Sequence, residues 1–101
     1  MKTADFEASL ASDRPPAGLA GPLQALWWDA KGAWDKAHAV AAADEDGASA
    51  AWVHAYLHRK EGDASNARYW YRRADRPVPV QSLDDERRAI VAALLARNEP
   101  A

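Results

Sequence analysis

His54 and His58 stand four residues apart, with Glu61 three further on, in the run His54-Ala55-Tyr56-Leu57-His58-Arg59-Lys60-Glu61. In a helix all three project from one flank, and two imidazoles one turn apart can be presented to a metal ion. The residues around them do not spell the His-Glu-x-x-His of zinc proteases, and a third ligand has to come from His38 or from a distant carboxylate. The sequence is therefore read without a metal and without a cofactor, the histidines being hydrogen-bonded at the boundary of a core. The alternative is a metal- or small-ligand-binding helical protein that uses His54 and His58 with the nearby aromatics, Glu61 being a further candidate metal ligand.

A second set of reactive side chains follows in Arg68-Tyr69-Trp70-Tyr71-Arg72-Arg73, with Arg76 close behind. At about 100° per residue Ala67, Trp70, Tyr71 and Ala74 share one helix face, leaving Arg68, Tyr69, Arg72 and Arg73 outside. Guanidinium groups beside an exposed tyrosine grip a carboxylate or phosphate in a forked geometry. The competing expectation is that these arginines pair with Asp29, Asp63, Asp75, Asp84 or Asp85. Trp27 and Trp28 point about 100° apart, so both cannot face one neighbour. Trp27 belongs with Leu23, Leu26 and Ala30, which leaves Trp28 to cover another helix or meet a partner. There is no glycine-rich phosphate loop, no nucleophile in a recognisable setting and no carboxylate pair that spacing brings together, so no enzyme is expected.

These side chains need helices to position them. Pro22 suits a helix first turn, and Leu23 to Lys31 follows it up to Gly32. A second helix runs from Trp34 to Ala43, before an acidic turn over 44–47. Ala50 to Glu61 is a third, stopped by Gly62, and a fourth opens at Ser65 and ends before Pro77 and Pro79. Ser82 can cap the last helix, 83–97, whose first turn carries Asp84, Asp85 and Glu86. Its Leu83, Ile90, Val91, Leu94 and Leu95 fall on one side, and the exposed end of the second helix pair is the surface they are expected to cover. Arg87 falls within that stripe and is expected to lie along the apolar surface with its head in water or paired to an acid. Residues 1–21, with Pro15-Pro16 and two glycines, read as a flexible arm in which at most Thr3 to Leu10 forms a short docked helix.

The 101 residues suffice for one small domain. Of the 49% hydrophobic residues 25 are alanines, so the core must rest on a few large side chains, and eight of the nine aromatics lie between Trp27 and Tyr71. A net charge of -2 draws the chain neither to nucleic acid nor to an anionic membrane. The absence of cysteine suits a reducing compartment. With no signal-peptide pattern and no run of the ~20 apolar residues a membrane span needs, the chain reads as soluble and cytoplasmic.

Gly32-Ala33-Trp34-Asp35-Lys36-Ala37 recurs thirty residues later as Gly62-Asp63-Ala64-Ser65-Asn66-Ala67. Superposing the glycines places Ala25 on Ala55 and Ala37 on Ala67, small residues that let paired helices approach closely. With His54-Ala55-Tyr56-Leu57, Gly62-Asp63, Ala67, Tyr71 and Ala74 in this spacing, the second unit resembles the tetratricopeptide-repeat family. The first is similar but has Ala41 where the second has Tyr71. The resemblance implies an all-α fold of two antiparallel helical hairpins, 22–43 and 50–76, with a C-terminal capping helix, 83–97, in a domain spanning 22–98. It also implies a module that binds a protein or peptide segment on the inner face of each hairpin's first helix. That face would hold Trp52, Tyr56, Arg59 and Lys60, together with Leu26 and Asp29, and an acidic segment would suit its cations. Trp28, Tyr69, Arg72 and Arg73 complete the expected binding residues. The family's asparagine clamp for a terminal carboxylate is missing from these helices, so a chaperone-tail receptor is not expected. Self-association through uncovered apolar seams is a further expectation.

Overall fold

In a computed structural model, which describes residues 1–44 and 47–98, the chain folds into six helices: α1 (Thr3–Ser9), α2 (Gly21–Ala30), α3 (Trp34–Ala42), α4 (Ala48–Glu61), α5 (Ala64–Arg73) and α6 (Leu83–Asn98). There is no strand among the described residues, and the all-α expectation is met. None of these helices is long and apolar enough to cross a membrane. Glu45 and Asp46 of the acidic turn lie outside the described residues.

Three helices stop in the same way, and each stop turns the chain back. Gly32, Gly62 and Asp75 take positive φ angles of 83°, 89° and 58°. The next amide then reaches back five residues, from Ala33 to Trp28, from Asp63 to His58 and from Arg76 to Tyr71, each at 2.9 Å. Glycine adopts this left-handed geometry without steric penalty, and aspartate is among the few other residues that tolerate it. Helix starts are fixed by side chains. The Asp63 carboxylate accepts from the Asn66 amide at 3.2 Å, and Ser82 Oγ accepts from the Asp85 amide at 3.1 Å.

Helices α2 and α3 pack as one hairpin and α4 and α5 as a second, with α3 against α4 and α2 beside α4. Ala25, Ala37, Ala55 and Ala67, which the thirty-residue register superposes, are all buried at these contacts. Trp27, Tyr56, Tyr71, Phe6 and Leu57 are the largest side chains sealed from water, so few bulky residues do fill the core.

The last helix is placed differently from expectation. Instead of covering the far end of the second hairpin, α6 packs against α2 and α4. Its Glu86 meets Arg59 near the end of α4, and its Arg97 reaches Ser49 near the start, so α6 runs antiparallel along α4. Ile90, Val91, Leu94 and Leu95 are buried there, where Leu23, Leu26 and Val53 belong to the same core. The apolar stripe of α6 gains more by filling the inner surface of both hairpins than by capping one end. Arg87 lies along this surface as expected, with its guanidinium 3.4 Å from Glu7.

The expected inner binding face is consequently interior at Leu26, Asp29, Trp52 and Tyr56, while Arg59 is half-buried and Lys60 exposed. Trp52 and Tyr56 are 8% and 1% exposed. Tyr56 donates its hydroxyl to buried Asp29 at 2.7 Å, and Lys60 Nζ reaches the other oxygen of the same carboxylate at 2.7 Å. Arg59 donates to buried Glu86 at 2.8 Å and Tyr71 to its second oxygen at 2.5 Å. Burial, and then the neighbouring carboxylate, push both tyrosine hydroxyls well above their ordinary pKa. Leu26 is also fully buried. These side chains tie α2 to α4 and α4 to α6, and no docking segment reaches Trp52 or Tyr56 in this fold.

Residues 1–21 are folded onto the body, which extends the domain to the N-terminal helix. Phe6 is 0% exposed, and α1 packs on α6. Ser9 Oγ accepts from Trp27 Nε1 at 3.0 Å, and Lys31 Nζ donates to the Leu10 carbonyl at 2.7 Å. A single large aromatic in a polar stretch is enough to dock about two helical turns when a matching recess is open.

Candidate metal centre

The joint between the two hairpins brings the three histidines together. Ala37, Ala41, Ala51 and Ala55 are buried where α3 meets α4, and their small side chains leave room for rings beside them. His38 comes from α3, while His54 and His58 come from successive turns of α4. Their ligand atoms all lie within 4.8 Å of one another. The closest pair, His38 Nε2 and His54 Nε2, is 2.9 Å apart, a hydrogen bond in which one ring donates and the other accepts.

Indole rings wall the cluster on both sides. Trp70 of α5 stacks on His54 with centroids 3.9 Å apart, and Trp34 stacks on His38 at 4.9 Å. His54 and His58 are themselves roughly parallel at 4.9 Å, with His38 edge-on to both. Trp34 is held in place by its Nε1, which donates to the Leu57 carbonyl at 2.9 Å. His54 is 6% exposed, and its pKa is lowered from 6.5 to about 4, first by burial and then by the charges His38 and His58 carry when protonated. Its imidazole therefore stays neutral, with a lone pair to offer, throughout the neutral range.

Glu61 does not join His38 and His54; with Asp63 it forms a second group around His58, the ligand atoms within 4.8 Å of one another. Its Oε2 is 3.3 Å from His58 Nδ1, but the alignment is too poor for a hydrogen bond, and that buried nitrogen has no other partner. A small turn of the exposed carboxylate would let Nδ1–H donate to it, which fixes the tautomer that offers Nε2 to the other two histidines. Asp63 also lies within reach of His58. Its carboxyl is held below the usual carboxylate range, chiefly by the hydrogen bonds from Asn66.

Imidazole nitrogens bound tetrahedrally at about 2.0–2.1 Å stand roughly 3.3 Å apart. The His38–His54 pair needs only to open slightly, and His58 to rotate out of its stack on His54. Three neutral nitrogens with one remaining position suit a late divalent transition metal and give a hard ion such as Mg2+ or Ca2+ no oxygen cage.

The remaining expected site residues lie elsewhere. Trp28 is half-buried, edge-on to Trp27, with the Lys36 ammonium 4.3 Å from its ring centroid. Tyr69, Arg72 and Arg73 are exposed on α5, as the helical count requires, and Arg73 donates to the Tyr69 hydroxyl at 3.1 Å. Sequence reasoning named His38 only as a possible third ligand, and it missed Trp34 and Trp70 as walls. A signal for all three was present. His38 and His54 lie eight residues either side of position 46, Trp34 and His58 twelve, and His54 and Trp70 eight either side of Gly62. Antiparallel helices of equal rise bring residues equidistant from a turn level with each other. No protein-family model matches this chain, and neither a curated protein nor a solved structure is significantly similar to it.

Proposed function

We propose that this protein binds one late divalent transition-metal ion, of the zinc, nickel, copper or cobalt type, through His38, His54 and His58. The observation that carries the reading is the convergence of three imidazoles from two helices, one of them biased to the neutral, ligand-competent form. The ion would replace the His38–His54 hydrogen bond and require only a shift of tautomer, since neutral imidazole loses no net proton on ligation. Glu61 would orient His58 by accepting from its Nδ1–H, and a water molecule would complete the coordination. The larger surface clefts lie on other faces, between α1 and α6 and along the end of α5, so the ion would serve as a tether between α3 and α4.

Calorimetry of the full chain with Zn2+, Ni2+, Cu2+ and Co2+, with the visible spectrum of the cobalt form, tests this. The expected result is one ion per chain and a tetrahedral cobalt spectrum. His38→Gln and His54→Gln should each abolish the spectrum, and Glu61→Gln should weaken binding about tenfold. Absence of heat with all four ions, or heat that survives both histidine substitutions, refutes the function.

A further inference from the structure

Among the described residues, Arg68, Arg72 and Arg76 are not paired with the acids that the sequence offered them. Asp29 is taken by Tyr56 and Lys60, and Asp63 caps α5. Among the described residues the hydrogen bond of Arg68 goes to Ser65 Oγ, at 3.3 Å, and Arg76 lies over the Trp52 indole, its guanidinium carbon 3.4 Å from the ring centroid. Among the described residues neither these two nor Arg72 has a carboxylate within ion-pair distance. The three line one cleft of about 420 Å3, together with Tyr71, Asp75, Pro77 and Val78. No acidic residue lies within α5 itself.

Exposed apolar surface coincides with this charge. Four large hydrophobic side chains are exposed among the described residues: Met1, Tyr69, Val78 and Val80. Tyr69 is on α5, Val78 walls the cleft, and Val80 follows it in the extended link to α6. Arg68, Arg72 and Arg76, beside an exposed tyrosine and valines, have the composition of a protein-binding surface.

We infer that this face of α5 and the link after it docks an extended acidic segment of a partner protein. Arg68 and Arg72 are one turn apart, about 6 Å along the helix, and alternate residues of an extended chain are about 6.8 Å apart. Carboxylates on every second residue of the segment thus meet successive guanidinium groups, while the residues between them rest on Tyr69 and Val78. Arg76 is already held by Trp52 and loses little freedom on binding. The net charge of -2 and Asp75 in the same wall oppose a long polyanion, and the exposed Val78 and Val80 match the side chains of a peptide. That favours an acidic peptide over a nucleic acid.

The probe is a short fluorescein-labelled peptide with glutamate at every second position and valine or serine between, followed by anisotropy with the full chain at low salt. Binding should weaken at least about tenfold in the Arg68→Gln/Arg72→Gln double variant, since both side chains are exposed and serve no packing role. Circular dichroism of that variant should match the wild type. The same peptide with lysine for glutamate should not bind, and neither inorganic phosphate nor a single-stranded oligonucleotide should displace the acidic peptide at matched charge concentration. Equal binding by wild type and variant, displacement by phosphate, preference for the oligonucleotide, or no binding each overturns the inference. None of these outcomes bears on the histidine cluster.

Discussion

Acid should attack this fold at His54 before it reaches most carboxylates. The imidazole is 6% exposed, with the Trp70 indole stacked on it at 3.9 Å and two other histidines beside it. Placing a proton there charges a group that has lost its water, so the folded-state pKa falls from 6.5 to about 4. The unfolded chain takes up that proton near pH 6.5 and the folded chain only near pH 4. Between these values the unfolded state binds more protons, and stability drops as pH drops. The contribution is fully present above pH 6.5 and exhausted below pH 4. The shift corresponds to at most about 3 kcal/mol, and to about 2 once relaxation of the neighbouring rings is allowed for. That is a large share of the roughly 5–15 kcal/mol by which small domains are stable. Urea unfolding of the wild type and of His54→Gln, measured without metal from neutral pH down to pH 4, isolates this group, because carboxylates titrate alike in both proteins. The wild type should lose about 2 kcal/mol more than the variant across the window. Parallel curves, or a His54 proton resonance that titrates near 6.5, would refute the reasoning.

Phe6→Ala should cost about 3 kcal/mol of unfolding free energy, because the ring is wholly enclosed beneath α1; a cost under about 0.5 kcal/mol in urea titration would mean that α1 does not dock. Glu86→Ala should cost about 3–5 kcal/mol by leaving the Arg59 guanidinium and the buried Tyr71 hydroxyl without their shared acceptor. If thermal and urea unfolding both place that loss below about 1 kcal/mol, water replaces the carboxylate and the tie is not structural.

Helix positions were legible because the local signals agree. The glycines at 32 and 62 sit at left-handed turns, Ser82 caps the last helix, and Pro77 follows the end of α5. Trp27 and Trp28 divide between core and surface as their angular separation demands. The destination of α6 was not legible, since an amphipathic stripe states that it needs a surface without saying which. That one placement turned Trp52 and Tyr56 from an expected contact face into interior structure and tied Arg59 to Glu86. Glu86 misled for a related reason: an acid in a helix first turn looks like an electrostatic adornment, and only the tertiary approach of Arg59 and Tyr71 makes it a buried acceptor. For the histidines, spacing along α4 was visible at once, whereas the level of His38 depended on the turn about which α3 and α4 fold.

The position of α6 also bears on how the chain acquires its structure. In a stack of hairpins each unit rests on its neighbour, and partial arrays survive because order propagates along one dimension. Here the helix nearest one end of the sequence touches both α2 and α4, and α1 in turn rests on α6. The ends of the chain meet over the middle. The first hairpin cannot complete its apolar surface until residues some sixty positions downstream arrive, and the second waits for the same helix, which it meets at separations of 27 to 48 residues, so loop closure precedes much of the reward. A chain assembled from two repeats therefore behaves as one cooperative unit, melting all at once rather than unravelling hairpin by hairpin.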